Sequence, residues 1–218
     1  MAHHLDFERG DPVYLFGYGS LVSRRSTEQT LGRRLTDGDG PIRARLRGYR
    51  RSWSAGSNRE SHPERTFVQA DGTEFVGTVA VLGIDEAPEA SCLGAVVRIR
   101  PADVAAMLVR ERNYQLIDVS DRVCWPGKPD ACSVHTFRPS EASRARLTRA
   151  DLVVINENYA RLVDEAFRAL GPDDVRQYRE SLAGAGEFPL VPLVAVYQER
   201  SGPVVDVQQS IAARPGRE

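Results

Sequence analysis

The stretch Phe16-Gly17-Tyr18-Gly19-Ser20-Leu21 follows directly on the apolar run Val13-Tyr14-Leu15. A short β-prone run that breaks into alternating glycines predicts a strand ending in a loop whose backbone can approach another group closely. Glycine lacks a Cβ and tolerates positive φ, so successive amide N–H groups can turn toward one point. The pattern therefore predicts a loop suited to an anionic or carbonyl oxygen, although a tight turn without a ligand would have the same sequence.

The familiar phosphate and nucleophile motifs do not fit this loop. A dinucleotide-binding fingerprint requires a third glycine three residues after Gly19, where Val22 stands. A P-loop requires a Gly-Lys-Ser/Thr triplet, and Lys128 is the only lysine of the chain. A hydrolase nucleophile elbow requires a glycine two residues after Ser20, and Val22 occupies that position as well.

Length and composition are those of a water-soluble globular protein. The chain has 218 residues, a formal net charge of -1, 41% hydrophobic and 27% charged residues, which suits one domain with a substantial core. No run approaches the roughly 18 apolar residues of a membrane span. The N-terminus lacks the apolar core of a signal peptide, and we assign no role to His3 and His4. We therefore expect a cytoplasmic protein with no membrane partner.

The cysteines favour free thiols and give little support to a metal site. Cys92, Cys124 and Cys132 are odd in number and widely spaced, unlike a disulfide framework. Cys124, Cys132 and His135 form the only near cluster, and their spacing lacks a paired CxxC knuckle. We expect neither a metal nor an organic cofactor.

The arginine content raises nucleic-acid binding as a possibility. Of the 29 basic residues, 28 are arginine, and residues 24–51 hold nine arginines against three acids. However, Ile42-Arg-Ala-Arg-Leu-Arg alternates apolar and basic residues with a period of two, which is typical of a strand with one solvent face. We expect a strand here and no nucleic-acid partner.

Strands dominate the first half of the sequence and helices the second. Strand-like runs lie at Val13–Phe16, Ile42–Trp53, Thr66–Ala70, Phe75–Leu82, Ala95–Ile99, Gln115–Val119 and Leu193–Val196. Helices are predicted from Pro101 through Asn113 and from Asn156 to Leu170. A third helix is predicted to start at Pro172-Asp173-Asp174, to carry Leu182 and to end at Gly184 and Gly186. The order predicts an α+β or mixed α/β domain with a largely antiparallel sheet. We place it at residues 13–198, after an extension at 1–12 and before a polar tail at 199–218.

Glu111 is the second informative residue. On the predicted helix it continues an apparent inward stripe that begins with Val104 and Leu108, so a carboxyl stands where an apolar residue is expected. Neither Arg110 nor Arg112 faces it on an ideal helix. A carboxyl held among apolar groups has a raised pKa, which prepares it for proton transfer near neutral pH. The alternative is that the fold brings an arginine to Glu111, or that the helix ends early and leaves it solvated.

At these positions the chain resembles the γ-glutamylcyclotransferase-like superfamily, most closely its ChaC-like branch. The residues 16–22 are similar to the family's strand-end motif, and Gly48-Tyr49-Arg50-Arg51-Ser52-Trp53 is similar to a second block rich in aromatic residues and arginine. Arg110-Glu111-Arg112-Asn113-Tyr114 resembles the family's Arg-Glu motif followed by tyrosine. The resemblance covers residues 13–119 well, and residues 150–197 only by helix pattern and Tyr159.

The resemblance implies a barrel-like sheet flanked by helices and an enzyme that forms 5-oxoproline from a small γ-glutamyl substrate. In this interpretation Glu111 is the general acid/base. The N–H groups of Tyr18, Gly19, Ser20 and Leu21 bind the substrate carboxylate or the oxyanion. Tyr114 and Tyr159 close the pocket, although core packing is an alternative role for both and loop pinning is one for Ser20.

Three departures from the ChaC pattern leave the substrate open. That branch has a Gly-Gly-Tyr stretch several residues after the glutamate, whereas here Tyr114 follows Glu111 by only three residues. The segment Asp85–Cys92 looks like a longer loop than that branch has. The Asn-Pro-x-Tyr expected before the late helix reads Asn156-Glu-Asn-Tyr159. Glutathione is one candidate, and a γ-glutamylated biosynthetic intermediate is another. A non-catalytic binding module of the same fold is the alternative from a different class, and the sequence leaves open whether the protein is a monomer or a homodimer.

Overall fold

The structure is a computed structural model that describes Leu5, Phe7, residues 10–184 and residues 187–197. Its strands, in chain order, are β1 Val13–Gly17, β2 Ile42–Ser57, β3 Arg65–Val68, β4 Thr78–Ile99, β5 Tyr114–Asp118, β6 Val123–Cys124, β7 Ser133–Pro139, β8 Val153–Asn156, β9 Leu182–Ala183, β10 Leu190–Val191 and β11 Val194–Tyr197. Its α-helices are α1 Arg24–Leu31, α2 Val104–Arg110, α3 Glu141–Arg149, α4 Glu157–Leu170 and α5 Asp174–Glu180. Single 3₁₀ turns lie at Ser20–Val22 and Pro101–Asp103.

Nine of these strands form one curled sheet, a half-barrel flanked by helices. Its path runs β10-β8-β4-β1-β7-β5, and β2 pairs along most of β4 while also carrying β6 and β9. β2–β4, β1–β4 and β5–β7 are antiparallel, whereas β1–β7 and β4–β8 are parallel. Most paired residues are antiparallel, and the predicted mixed α+β class with a barrel-like sheet is confirmed. β3 and β11 form a separate antiparallel pair.

The predicted strand at residue 42 is confirmed and extends to Ser57. Ala44 and Leu46 are buried, while Arg43 and Arg47 on the opposite face are exposed, as the period-two pattern predicts. The pairing register shifts between Arg47 and Tyr49, where Gly48 has a φ of 78°. This irregularity resets the alternation, so that Tyr49, Arg51 and Trp53 are the next inward residues.

The prediction of two strands at Phe75–Leu82 and Ala95–Ile99, separated by a loop at Asp85–Cys92, is wrong. One strand, β4, runs through the whole segment from Thr78, because β2 pairs with it on both sides of the irregularity at Gly48. The polar residues that suggest a loop lie mainly on the exposed side of this ribbon.

Two helices that the sequence analysis does not predict begin at serine N-caps. Ser23 Oγ accepts a hydrogen bond from the backbone N–H of Ser26 at the start of α1, and Ser140 Oγ does the same for Ser143 at the start of α3. Neither helix carries an apolar stripe that would have indicated it; the one buried residue of each is Thr27 and Ser143.

β1 lies between two hydrophobic clusters, which explains why all five of its residues are buried. Tyr14 and Phe16 pack into a large cluster with Leu46, Leu82 and Phe167. On the other face, Val13 and Leu15 pack into a second cluster with further buried residues, among them Leu5, Val97, Met107 and Phe137. The end of β1, and the loop that follows it, is therefore held from both sides.

The predicted boundaries at residues 13 and 198 stay predictions, and the predicted tail at 199–218 lies outside the described residues. Within the described part of the chain, no helix is long and apolar enough to cross a membrane. All three cysteines are free: Cys92 is buried, Cys132 is partly buried and Cys124 is exposed.

Candidate active site

The glycine loop leaves β1 and turns at once into the 3₁₀ turn Ser20–Val22. Gly19 is the N-cap of this turn, and no side chain caps it. The amide N–H groups of Ser20 and Leu21 belong to a first helical turn and so have no acceptor within it. A Cβ on Gly17 would lie 2.5 Å from Leu21 Cβ, and one on Gly19 would lie 3.0 Å from Tyr159 Oη. The glycines therefore permit a packing that other residues would disturb.

Arg51 fixes the orientation of this loop from the interior. Its side chain is fully buried, its Nε donates to the carbonyl oxygen of Tyr18 at 2.7 Å, and its Nη2 donates to the carbonyl of Leu93. The guanidinium also lies against the rings of Phe167 and Tyr178. Because C=O and N–H point in opposite directions across a trans peptide, holding the Tyr18 carbonyl turns the N–H of Gly19 away from Arg51.

Glu111 follows directly on α2 and is its C-cap residue. The backbone N–H of Glu111 donates to Met107, and its carbonyl accepts from the backbone N–H of Tyr114 at 2.8 Å, which closes a turn. Its side chain is only 13% exposed and accepts a hydrogen bond from Arg110 Nε at 2.9 Å.

Two expectations about Glu111 are wrong. The predicted inward stripe fails because Leu108 is 48% exposed and Met107 is the buried residue of α2. The expectation that Arg110 projects elsewhere fails because the helix ends at Arg110, shorter than predicted. At a φ of -98° and a ψ of 25°, Glu111 is no longer helical, so the rule that neighbours i and i+1 diverge does not apply. The alternative that an arginine pairs with Glu111 is the observed arrangement.

Arg110 ties Glu111 to the glycine loop and to α1. Its Nη2 donates to Ser20 Oγ at 2.8 Å and to Ser26 Oγ at 3.1 Å. Its Nη1 donates to Thr30 Oγ1 at 2.5 Å and to the carbonyl of Ser26 at 3.1 Å. Ser20 is therefore pinned by its hydroxyl at the same place where its backbone enters the 3₁₀ turn.

Three tyrosines complete the wall around this carboxyl. Tyr114 Oη donates to the carbonyl of Leu82 at 2.8 Å, and Tyr18 Oη donates to the carbonyl of Phe137 at 2.5 Å. Tyr159 lines the same wall, and its ring packs edge-on against that of Trp53 with the ring centres 6.1 Å apart. Tyr114 and Tyr159 line the cavity and also pack against the hydrophobic clusters, so both roles considered for them are compatible with their positions.

Burial sets the protonation state of each group. It raises the pKa of the Glu111 carboxyl above its ordinary value, and the charge and hydrogen bond of Arg110 oppose that rise. Burial, with the charge of Glu111, raises the pKa of Tyr159 to about 12 and places that of Tyr114 well above its usual range. At neutral pH the tyrosines are hydrogen-bond donors, and Glu111 is the group of this set whose titration lies nearest neutrality.

These side chains share one opening. A narrow cavity of about 40 Å³ lies between the glycine loop, Glu111, Tyr114 and Tyr159. It adjoins a cleft of about 510 Å³, which those three residues and Ser20 also line. The cleft extends over β3 and β11. All the predicted site residues meet here: Tyr18, Gly19, Ser20, Leu21, Glu111, Tyr114 and Tyr159. Their roles remain predictions.

The sequence analysis misses Arg51 and Arg110 as residues of this site. Arg51 stands in the quoted block between Tyr49 and Trp53, in register with two inward aromatic residues, and that alternation is the signal that identifies it. Arg110 is missed because the predicted helix continues to Asn113, and on a continuous helix Arg110 would not face Glu111. In the described part of the chain, no group of three or more His, Cys, Asp or Glu side chains is arranged to hold a metal ion.

Neither a protein-family model nor a curated protein matches the chain. Among solved structures, that of YkqA from Bacillus subtilis matches with a TM-score of 0.52 and 17% identity, over 82% of this chain and 56% of that one. A gamma-glutamyl cyclotransferase matches with a TM-score of 0.48 and 14% identity, over 92% and 98% of the two chains. An uncharacterized protein from Homo sapiens has the same TM-score and identity, over 94% and 99%.

The match to YkqA shows a shared fold, since its TM-score exceeds 0.5, and at 17% identity it shows the fold alone. This chain spans little more than half of the YkqA chain.

Proposed function

We propose that the protein is an enzyme of the γ-glutamylcyclotransferase type. The α-amine of a γ-glutamyl group attacks the γ-carbonyl of the same group, a five-membered ring closes, and the C–N bond to the departing amine or peptide breaks. The products are 5-oxoproline and the free amine or peptide, and no water is consumed. The observation that carries this proposal is a buried carboxyl, Glu111, facing an uncapped glycine turn across one narrow cavity.

Glu111 is the proton carrier in this proposal. Its carboxylate accepts a proton from the attacking amine and then, as a carboxylic acid, donates that proton to the departing nitrogen. A carboxyl whose pKa is raised by burial exchanges protons near neutral pH more readily than one at its ordinary value. Arg110, by opposing that rise, keeps Glu111 able to act as a base.

The glycine loop supplies the electrostatic part. The N–H groups of Gly19, Ser20 and Leu21 bind either the substrate's α-carboxylate or the oxyanion that develops on the γ-carbonyl oxygen. Arg51 fixes the peptide that carries the first of these N–H groups. Tyr114 and Tyr159, protonated at neutral pH, line the same cavity and orient the glutamyl portion.

The Arg110–Glu111 ion pair favours a second candidate, a binding module of this fold without catalysis. A carboxylate already engaged by a cation and fixed at a helix end has a sufficient structural reason to be present. In that case the cleft binds γ-glutamyl compounds without turning them over.

Product identity distinguishes the candidates. The protein is incubated with glutathione, γ-glutamyl dipeptides and γ-glutamylamines, and 5-oxoproline and glutamate are quantified by mass spectrometry. Cyclisation yields 5-oxoproline, whereas hydrolysis of the same amide yields glutamate. We expect 5-oxoproline from the wild type and its near-absence with Glu111→Gln. Saturable binding without either product supports the binding module, and equal product from both proteins removes Glu111 from the mechanism.

A further inference from the structure

Arg65 lies in the cleft with Glu111 and is not explained by the sites described above. It is the first residue of β3 and pairs in register with Tyr197 of β11. Its Nη2 donates to Ser57 Oγ at 2.5 Å, and its guanidinium carbon lies 4.9 Å from the centre of the Phe67 ring. Its Nε is buried and has no hydrogen-bond partner.

The other arginines of the cleft are matched by carboxylates. Arg110 pairs with Glu111, and Arg112 pairs with both oxygens of Glu64 at 3.2 and 2.5 Å. Among the described residues, Arg65 is the arginine of the cleft wall that has no carboxylate partner. The cleft therefore carries an excess positive charge at this residue.

A neighbouring histidine does not alter this balance near neutral pH. His62 contacts Glu64 through Nδ1 at 3.2 Å and lies 2.9 Å from the Asn113 amide through Nε2. Burial, followed by the charge of Arg65, lowers the pKa of His62 to about 4, so that its ring is neutral. The pairing of these neighbours leaves Arg65 as the group available to an anionic ligand.

A guanidinium that lines the cleft without a carboxylate partner is suited to a carboxylate. A carboxylate is planar and accepts two parallel hydrogen bonds from the fork of an arginine, and such charge-assisted pairs are stronger than neutral ones. The wall formed by Ser57 and Phe67 holds the guanidinium in place, so little side-chain entropy is lost on binding.

We propose that Arg65 determines specificity by binding a carboxylate on the departing portion of the substrate. This inference rests on the proposed function. It narrows the substrate class to γ-glutamyl amino acids or peptides and places γ-glutamylamines, whose departing portion is neutral or cationic, as poorer substrates.

A matched ligand pair tests the proposal. γ-Glutamylglycine and γ-glutamylglycinamide differ only in a carboxylate against a carboxamide on the departing group. For the wild type we expect kcat/KM to favour the carboxylate by about 10- to 100-fold, the size of one charge-assisted hydrogen bond. Arg65→Gln brings this ratio toward one, and Arg65→Lys, which retains the charge, restores part of it. Arg149→Gln, on the exposed end of α3, leaves the ratio as in the wild type.

A binding measurement separates failure of this proposal from failure of the proposed function. Calorimetric titration of Glu111→Gln with the same two ligands needs no turnover. Preferential binding of γ-glutamylglycine that is lost on adding Arg65→Gln supports the Arg65 site even if no 5-oxoproline forms. Equal affinity for the two ligands overturns it even if both are turned over. A preference that survives Arg65→Gln but is lost in Arg112→Gln also overturns it, and so does binding of neither ligand.

Discussion

At the scale of single residues, the properties of Glu111 result from two opposing effects. Burial raises the pKa of its carboxyl, and the adjacent Arg110 guanidinium lowers it. Arg110 also holds Ser20 by its hydroxyl, so one side chain adjusts the proton carrier and positions the loop. This double role distinguishes Arg110 from Arg112, which pairs with Glu64.

Replacing Arg110 tests the electrostatic half of this account. In Arg110→Gln the opposing charge is lost, so the pKa of Glu111 rises further and a higher pH is needed to form its carboxylate. We expect the acidic limb of the profile of kcat/KM against pH to move to higher pH than in the wild type. Arg112→Gln, in which the lost guanidinium is one that pairs with Glu64, is the control and leaves the limb in place. A limb that stays fixed in both variants would show that another group controls it.

At the scale of elements, the site requires three segments to pack closely together. These are the glycine loop, the end of α2 and the start of α4. Gly19 and Tyr159 form one such close contact, because a Cβ on Gly19 would lie 3.0 Å from the tyrosine hydroxyl oxygen. The backbone N–H groups of this loop are also the proposed hydrogen-bond donors to the oxyanion.

Gly19→Ala therefore lowers activity more than stability. The new methyl displaces either the loop N–H groups or the Tyr159 hydroxyl, and we expect kcat to fall by up to about 10²-fold, the size of one lost oxyanion donor. Gly38→Ala is the matched control, since its Cβ would meet only Thr36 Oγ1 at 4.0 Å. Gly19→Ala and Tyr159→Phe act on the same contact. The double variant should therefore lose less kcat than the product of the fold-losses of the two single variants. Losses of kcat that simply multiply in the double variant would contradict a contact between Gly19 and Tyr159.

Arg51 joins β2 to the same loop, and its loss has a different consequence. Arg51→Met leaves the carbonyls of Tyr18 and Leu93 without their buried donor, so we expect the free energy of unfolding to fall by about 1–3 kcal/mol for each unsatisfied group. Urea denaturation measures this. Arg50→Met, the exposed neighbour on the same strand, provides the comparison and changes stability little. Similar losses in both variants would mean that Arg51 does not hold the loop.

Much of this arrangement is readable from the sequence where the signal is local. The glycine loop after β1, the period of β2 and the helix Asn156–Leu170 all follow from short patterns, and the structure has each of them nearly as expected. Glu111 is identified as buried, although for the wrong reason. Arg51 could not be assigned a role, because the carbonyls that it binds, those of Tyr18 and Leu93, lie 33 and 42 residues away in the chain. Arg65 could not be assigned one either, because the cleft that it lines forms only where distant segments meet. The continuity of β4 likewise depends on pairing with β2, which no local pattern reveals.

At the scale of the whole molecule, the site exists only when distant segments meet. Arg110 and Ser20 lie 90 residues apart in the chain, and Arg51 and Tyr18 lie 33 apart. β1 is held between two hydrophobic clusters, which keeps the loop at its end in place. Burying Glu111 in such a site therefore affects the stability of the whole fold.

The stability of the wild type should depend on pH through Glu111. Its pKa is higher in the folded than in the unfolded state, so between these two values the folded state holds a proton that the unfolded state has released. Raising the pH through that window lowers the free energy of unfolding. Glu111→Gln lacks this contribution, so its stability decreases less over the same window. Urea denaturation of both proteins across a series of pH values measures the difference, and parallel curves would contradict a raised pKa.

The most direct test of the central claim is the rate of 5-oxoproline formation by wild type, Glu111→Gln and Glu165→Gln on the best γ-glutamyl substrate. Glu165 is an exposed carboxylate on α4 and receives the same substitution. We predict that Glu111→Gln lowers kcat by about 10²–10⁴-fold, the contribution typical of a general acid/base, with little change in KM. Glu165→Gln retains the wild-type rate. A wild-type kcat in Glu111→Gln would contradict the assignment of Glu111 as the proton carrier.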